Sequence, residues 1–374
     1  MSSALTDLCP HPIVQAPMAG GVSVPQLAAA VSEAGGLGFL AAGYKTADGM
    51  YEDIKQLRGL TGRPFGVNLF MPQPEYPGPG AGGAAGTAPH PPATVDVYAH
   101  QLAGEASWYE TELGDPDSGR DDGYDAKLAV LLDNPVPVVS FHFGVPGPDI
   151  LESLRRAGTL TLATATTVEE ALAVQRAGAD AVIAQGVEAG GHQGTHRDLP
   201  EADGSGVGLL SLIAQVCETV DIPVVAAGGI MRGSQIAAVL AAGAVAAQLG
   251  TAFLATPESG ANAVHKQALT NPLFVRTELT RAFSGRPARG LVNRFMREHG
   301  PYAPPAYPEI HHLTSPLRKA AAKAGDAQGM ALWAGQGHRM ARDLPAGRLV
   351  EVLAAELDAA RTALSVFPAA GGDR

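Results

Sequence analysis

Short apolar runs, each closed by a glycine or a polar residue, recur along most of the chain and alternate with longer amphipathic stretches. Such runs predict buried parallel strands, and the stretches between them predict helices. Ile13 to Gln15 is the first strand. Ser23 is the expected N-cap and Pro25 lies in the first turn of a helix reaching about Ala34, which Gly35 and Gly36 stop. Leu37 to Ala41, Ala47 to Leu60 and Phe65 to Leu69 then read as strand, helix and strand, with Asn68 near the end of the last. The rhythm breaks in an insertion at 72–93 that is rich in Pro, Gly and Ala. Gly78, Gly80 and Gly83 match G-x-G-x-x-G formally. No strand precedes them, Pro79 interrupts them and no helix starts there, so the match is not a dinucleotide fingerprint. Thr94 to Leu113 and Tyr124 to Leu132 are the next expected helices.

Alternation then resumes. Val136 to Phe141 is a strand ending in His142, Phe143 and Gly144, followed by a helix from Asp149 to Ala157 and a strand from Leu160 to Thr164. Thr167 caps a helix with Glu169 and Glu170 in its first turn, the end that favours acidic residues, and Gly178 ends it. Strands at Ala181–Ala184, Pro223–Ala227 and Val245–Leu249 flank helices at Gly208–Thr219 and Ser234–Ala242. Eight strand–helix units over about 250 residues have the size of a TIM barrel. A doubly wound sheet is the alternative, and the even spacing of the last five units favours the barrel. The expected organisation is an α/β (β/α)8 barrel over 1–256 and a C-terminal helical extension over 257–374 packing on it.

In a barrel, function gathers at the carboxyl ends of the strands. The richest such end is Asp180 to Gly194, where an apolar run meets Gln185 and then Gly186, Gly190, Gly191, His192 and Gly194. The glycines permit a sharp turn and close backbone approach to a ligand. Gly228-Gly229 and Gly250-Thr251 follow the seventh and eighth strands, the usual phosphate position of a barrel. Asn68, Gln185 and Gln248 offer both donors and acceptors to a flat heterocycle. Their plainer role is to satisfy strand-end backbone. Phosphate plus heteroaromatic ring points to FMN.

Composition narrows the partners. Hydrophobic residues make up 46% of the 374, a globular proportion. The net charge of −11 argues against nucleic acid or an anionic membrane. Ile236 to Ala255 has the length of a membrane span, but glycines and polar residues break it into helix, turn and strand. Cys9 and Cys217 stand far apart and no metal-ligand spacing occurs, so a reduced, cytoplasmic setting without a metal is expected. The N-terminus lacks the pattern of a signal peptide.

QAPMAGG at 15–21, GVNLF at 66–70, AQGVEAGGHQG at 184–194, AAGGI at 226–230, QLGTAF at 248–253 and SGRPARG at 284–290 together resemble the nitronate monooxygenase family, from about residue 10 to 365. Trp108-Tyr109, Tyr302, Tyr307 and LTSPLR at 313–318 resemble its first class, and the Pro/Gly-rich insertion departs from it. The resemblance implies an FMN-dependent TIM barrel with His192 catalytic. It implies FMN contacts from Ala16, Pro17, Met18, Asn68, Gln185, Gly190, Gly191, Gly228, Gly229, Gln248, Leu249, Gly250 and Thr251. His142, Tyr109, Tyr302, Tyr307 and Ser284 would meet the substrate. The implied reaction takes alkyl nitronates, propionate 3-nitronate among the candidates, and O2 to carbonyl compounds and nitrite in a monomer or homodimer. His192 would act as imidazolium pairing with the anion, or as neutral base on a nitroalkane. Two alternatives stay open: an FMN-dependent NAD(P)H reductase acting on quinones or enoyl thioesters, and an FMN-binding barrel without turnover.

Overall fold

A computed structural model describes residues 5–73, 92–198 and 204–365. The rejected glycine fingerprint at 78–83 lies outside them. The strands are β1 (Ile13–Gln15), β2 (Gly38–Ala41), β3 (Phe65–Phe70), β4 (Val138–His142), β5 (Leu160–Ala165), β6 (Ala181–Gln185), β7 (Gly191–His192), β8 (Val224–Ala227), β9 (Ala246–Leu249), β10 (Thr277–Thr280) and β11 (Ala288–Leu291). Eight of them pair in parallel in the order β1-β9-β8-β6-β5-β4-β3-β2. A parallel bridge from Val14 to Leu37, at the threshold of β2, joins the two ends. The sheet is therefore a closed barrel, and all eight strands stand where the apolar runs place them.

The period-two alternation of each strand decides what faces inward. Val14, Phe39, Val138, Leu162, Ala181, Ile183, Val225 and Ala246 fill the barrel in one apolar cluster. Gly66 leaves room for the Phe39 ring, whose Cε1 lies 2.3 Å from where a Cβ would be. Moving two residues along each strand keeps the inward parity and reaches Asn68, Ser140, Thr164, Gln185 and Gln248. This polar layer at the carboxyl end lines a cavity. The opposite parity, with Ile13, Val67, Val139, Ala163, Val182 and Ala226, packs outward against the helices in the main core.

Helix boundaries follow local chemistry. Thr167 caps its helix by accepting the Glu170 N–H, and Gly178 ends it in the left-handed region. Ser23 is not an N-cap: Val24 holds that position without a side-chain bond. The Ser23 hydroxyl instead accepts the Met18 N–H and the Gln15 amide, each at 2.9 Å, and so braces the loop after β1. The helix expected to reach Leu113 spans Pro92–Trp108, because Glu110 turns the chain with φ of 50°.

After β9 the chain does more than add helices. β10 and β11 form an antiparallel pair, and β11 pairs in turn with β7, so that His192 lies opposite Ala288. Two residues are too few to show a period, which hid β7 in the sequence. The last helix, Ala346–Ser365, lies between the helices Pro25–Glu33 and Gly233–Ala241. Gly233 makes the approach close: its N–H meets a Glu356 carboxylate oxygen at 2.8 Å, and a Cβ there would stand 2.3 Å from the Leu357 nitrogen. Among the described residues no helix is long and apolar enough to cross a membrane.

Candidate active site

A cavity of 1150 Å³ opens over the polar layer at the carboxyl ends of the barrel strands. Ala16, Pro17 and Met18 line it after β1, Gly190, Gly191 and His192 after β6, Gly228 and Gly229 after β8, and Leu249, Gly250 and Thr251 at the end of β9. Asn68, His142, Gln185 and Gln248 complete the set of predicted residues that converge there. Ser284 and Tyr307 reach the cavity through His192. Ser284 Oγ lies 2.9 Å from His192 Nε2, and the Tyr307 ring sits 5.7 Å from the imidazole. Tyr109 and Tyr302 do not join them. The Tyr109 hydroxyl donates to Asp326 at 2.6 Å, and Tyr302 is 63% exposed on a short 3-10 helix, Gly300–Tyr302.

The three amides differ. Gln185 accepts the Gly194 N–H at 2.7 Å and donates to the His192 carbonyl at 3.1 Å, so it shapes the glycine-rich loop. Asn68 donates to the Ser140 carbonyl and hydroxyl. Gln248 Oε1 is buried and has no partner among the described residues. An orphaned acceptor in a cavity wall costs free energy unless a ligand supplies its donor. Gly229, with φ of 66°, Gly250 and Thr251 likewise present backbone N–H groups that no described residue accepts. Such groups ahead of a helix suit a phosphate.

His192 sits in a cage of rings. Phe143, Tyr307 and Trp333 each have centroids 5.7 Å from it. Burial first, then His142, Arg286 and Arg318, hold its pKa well below the usual imidazole range. Burial and Arg286 likewise push His142 down to about 3, and its Nδ1 meets Thr164 Oγ1 at 3.1 Å. Both imidazoles are therefore neutral at ordinary pH. The Arg286 carbonyl lies 3.2 Å from Ser284 Oγ and can take its hydroxyl hydrogen. Oγ then accepts Nε2–H of His192, which leaves the lone pair on Nδ1.

Sequence reasoning missed several residues of this corner. Tyr44 and Phe143 are non-glycine residues at φ of 64° and 72°, a conformation that the surrounding structure must enforce. The Tyr44 ring stacks on His311 at 3.8 Å, and its hydroxyl lies 3.1 Å from that of Tyr307. The Arg286 guanidinium covers the Phe143 ring at 4.1 Å. Trp333 and Arg318 line the cavity from the C-terminal segment. The family motifs contain Arg286 and Arg318, but the motif alone does not mark either as a site residue.

The nitronate monooxygenase family model matches residues 2–356. The chain belongs to the nitronate monooxygenase family. A nitronate monooxygenase from Pseudomonas aeruginosa is 44% identical over 350 residues, covering 93% of this chain and 96% of that protein. One from Paraburkholderia phytofirmans is 41% identical over 357 residues, 92% of each. The crystal structure of nitroalkane oxidase from Streptomyces ansochromogenes superposes with a TM-score of 0.92 at 81% identity, covering 97% of this chain and all of that one. Nitronate monooxygenases are oxidoreductases, flavin-dependent in general, and the reductase alternative is not favoured by these relatives.

Proposed function

We propose that the barrel holds FMN in this cavity and oxidises alkyl nitronates with dioxygen to carbonyl compounds and nitrite. The observation that carries the reading is the unpaired set of Gln248 Oε1 and the Gly229, Gly250 and Thr251 N–H groups, in one cavity with His192. These residues fit the group: Gly229, Gly250 and Thr251 would hold its phosphate, and Gln248, Asn68 and Met18 would face its ring system. When bound, FMN supplies the electron acceptor between the substrate carbon and dioxygen. The chain's own residues bind and orient. His192 Nδ1 would accept a carbon-bound proton from a neutral nitroalkane, and a preformed nitronate needs no such transfer. Phe143, Tyr307 and Trp333 exclude water around that imidazole. The reading places the enzyme in the cytoplasm as a monomer or homodimer, and both thiols, Cys9 and Cys217, are free.

The purified protein should be yellow. Acid denaturation should release one chromophore per chain bearing a single phosphate, and anaerobic mixing with ethyl nitronate should bleach the visible band. Colourless protein that takes up no added FMN would sink the reading.

A further inference from the structure

The helix Glu309–Ala324 turns one face to the cavity, with His311, Ser315, Arg318 and Ala322 along it. That spacing of three and four residues is one side of a helix. Ile310, Leu313, Leu317 and Ala321 bury the other side. Arg318 is held by neutral acceptors. Its Nε donates to Thr314 Oγ1 at 3.1 Å, and Nη2 donates to the His311 carbonyl at 2.8 Å and lies 3.3 Å from His311 Nδ1. Among the described residues no carboxylate pairs with it. The acidic groups that act on it are the phenols of Tyr44 and Tyr307, which burial keeps protonated, while Asp122 on the same cavity wall is taken up by Lys127 and the Tyr44 N–H.

The other cations of the cavity wall are accounted for. Lys45 pairs with Asp53, Arg120 pairs with Glu309, and Lys319 is exposed to solvent. Arg286 is 1% exposed and lies behind Phe143 rather than on the wall. The histidines nearby, His142, His192 and His311, are all pushed towards neutrality. Among the described residues, Arg318 is thus the positive charge on the cavity wall that no carboxylate compensates, close enough to His192 to depress its pKa. A partly buried guanidinium without a carboxylate partner is costly, and a bound anion offsets that cost with charge-assisted hydrogen bonds.

We propose that Arg318 pairs with the negative charge of the substrate and sets the preference for an anionic nitronate over its neutral nitroalkane, the part that His192 would otherwise have to play as imidazolium. This rests on the nitronate reading of the site and names the residue that selects the substrate's charge state.

The test compares flavin-loaded wild type, Arg318→Lys and Arg318→Gln. It measures KM for ethyl nitronate and for nitroethane, and the Kd of nitrate, a planar anion with the outline of the nitronate oxygens. Arg318→Gln should raise the nitronate-to-nitroalkane KM ratio about 10–100-fold and weaken nitrate in parallel, with flavin occupancy retained. Arg318→Lys should fall between. A ratio within about twofold of wild type, or loss of flavin in place of loss of anion affinity, overturns the proposal. Should Arg318→Gln not fold, the wild type decides: nitrate competing with nitronate supports the contact, and nitrate without effect refutes it. A wild type that binds nitrate through Arg318 but turns over no nitronate would overturn the function and leave the anion contact standing.

Discussion

At the scale of the residue, the chemistry turns on the charge of His192. The sequence left two roles open, cation and base. Burial among three rings, and two arginines within electrostatic reach, favour the neutral form. With preformed nitronate, kcat/KM should then stay level between about pH 6 and 8, where an ordinary imidazole would lose its charge. His192→Asn should lose about 10²–10⁴-fold on neutral nitroalkanes and far less on nitronates, since only the former need a base. Steady-state kinetics on both substrate forms across pH checks this. Small, equal losses on both would reduce His192 to a loop residue held by Ser284. Asn68, Gln185 and Gln248 were legible because strand parity sends them inward. Tyr109 and Tyr302 were not, because a motif gives the residue type and not the direction of its side chain. Tyr44, Phe143 and Trp333 come from distant segments, and only the closed barrel brings them round one imidazole.

At the scale of the element, the two loops after β8 and β9 are the proposed phosphate site. Gly229→Asp should purify without flavin while the barrel remains folded, because a carboxylate would meet the phosphate. Gly229→Ala is the control. It carries the same left-handed strain, about 1–2 kcal/mol, and the same close approach of a Cβ to Glu188 Cβ at 3.0 Å, without the charge, and should keep most of the flavin. Absorbance ratio and circular dichroism of both variants check this, and full occupancy in the Asp variant would move the phosphate elsewhere. The parallel strands were readable because each is an apolar run with a glycine or polar end. The β7–β11 pairing was not. It joins residues nearly a hundred apart through two short strands, and it fixes the backbone of His192 against the SGRPARG segment.

At the scale of the whole molecule, burial holds five imidazoles among the described residues below their usual pKa: His142, His192, His265, His311 and His338. Each has a folded pKa below that of the unfolded chain, so the unfolded state binds more protons as pH falls. Their contribution to stability is complete above about pH 6.5 and is lost progressively below it, before most carboxylates titrate. Urea unfolding at pH 7, 6 and 5 should show a declining midpoint, and a constant midpoint across that range would contradict the burial of these rings. The central claim is that this chain cleaves the carbon–nitrogen bond of nitronates using dioxygen. The direct measurement mixes the flavin-loaded protein with ethyl nitronate in air, without NADH, and follows oxygen, nitrite and acetaldehyde together. The account predicts oxygen uptake with nitrite and acetaldehyde in equal amounts; no nitrite, with NADH consumed instead when an enoyl thioester or quinone is supplied, would contradict it.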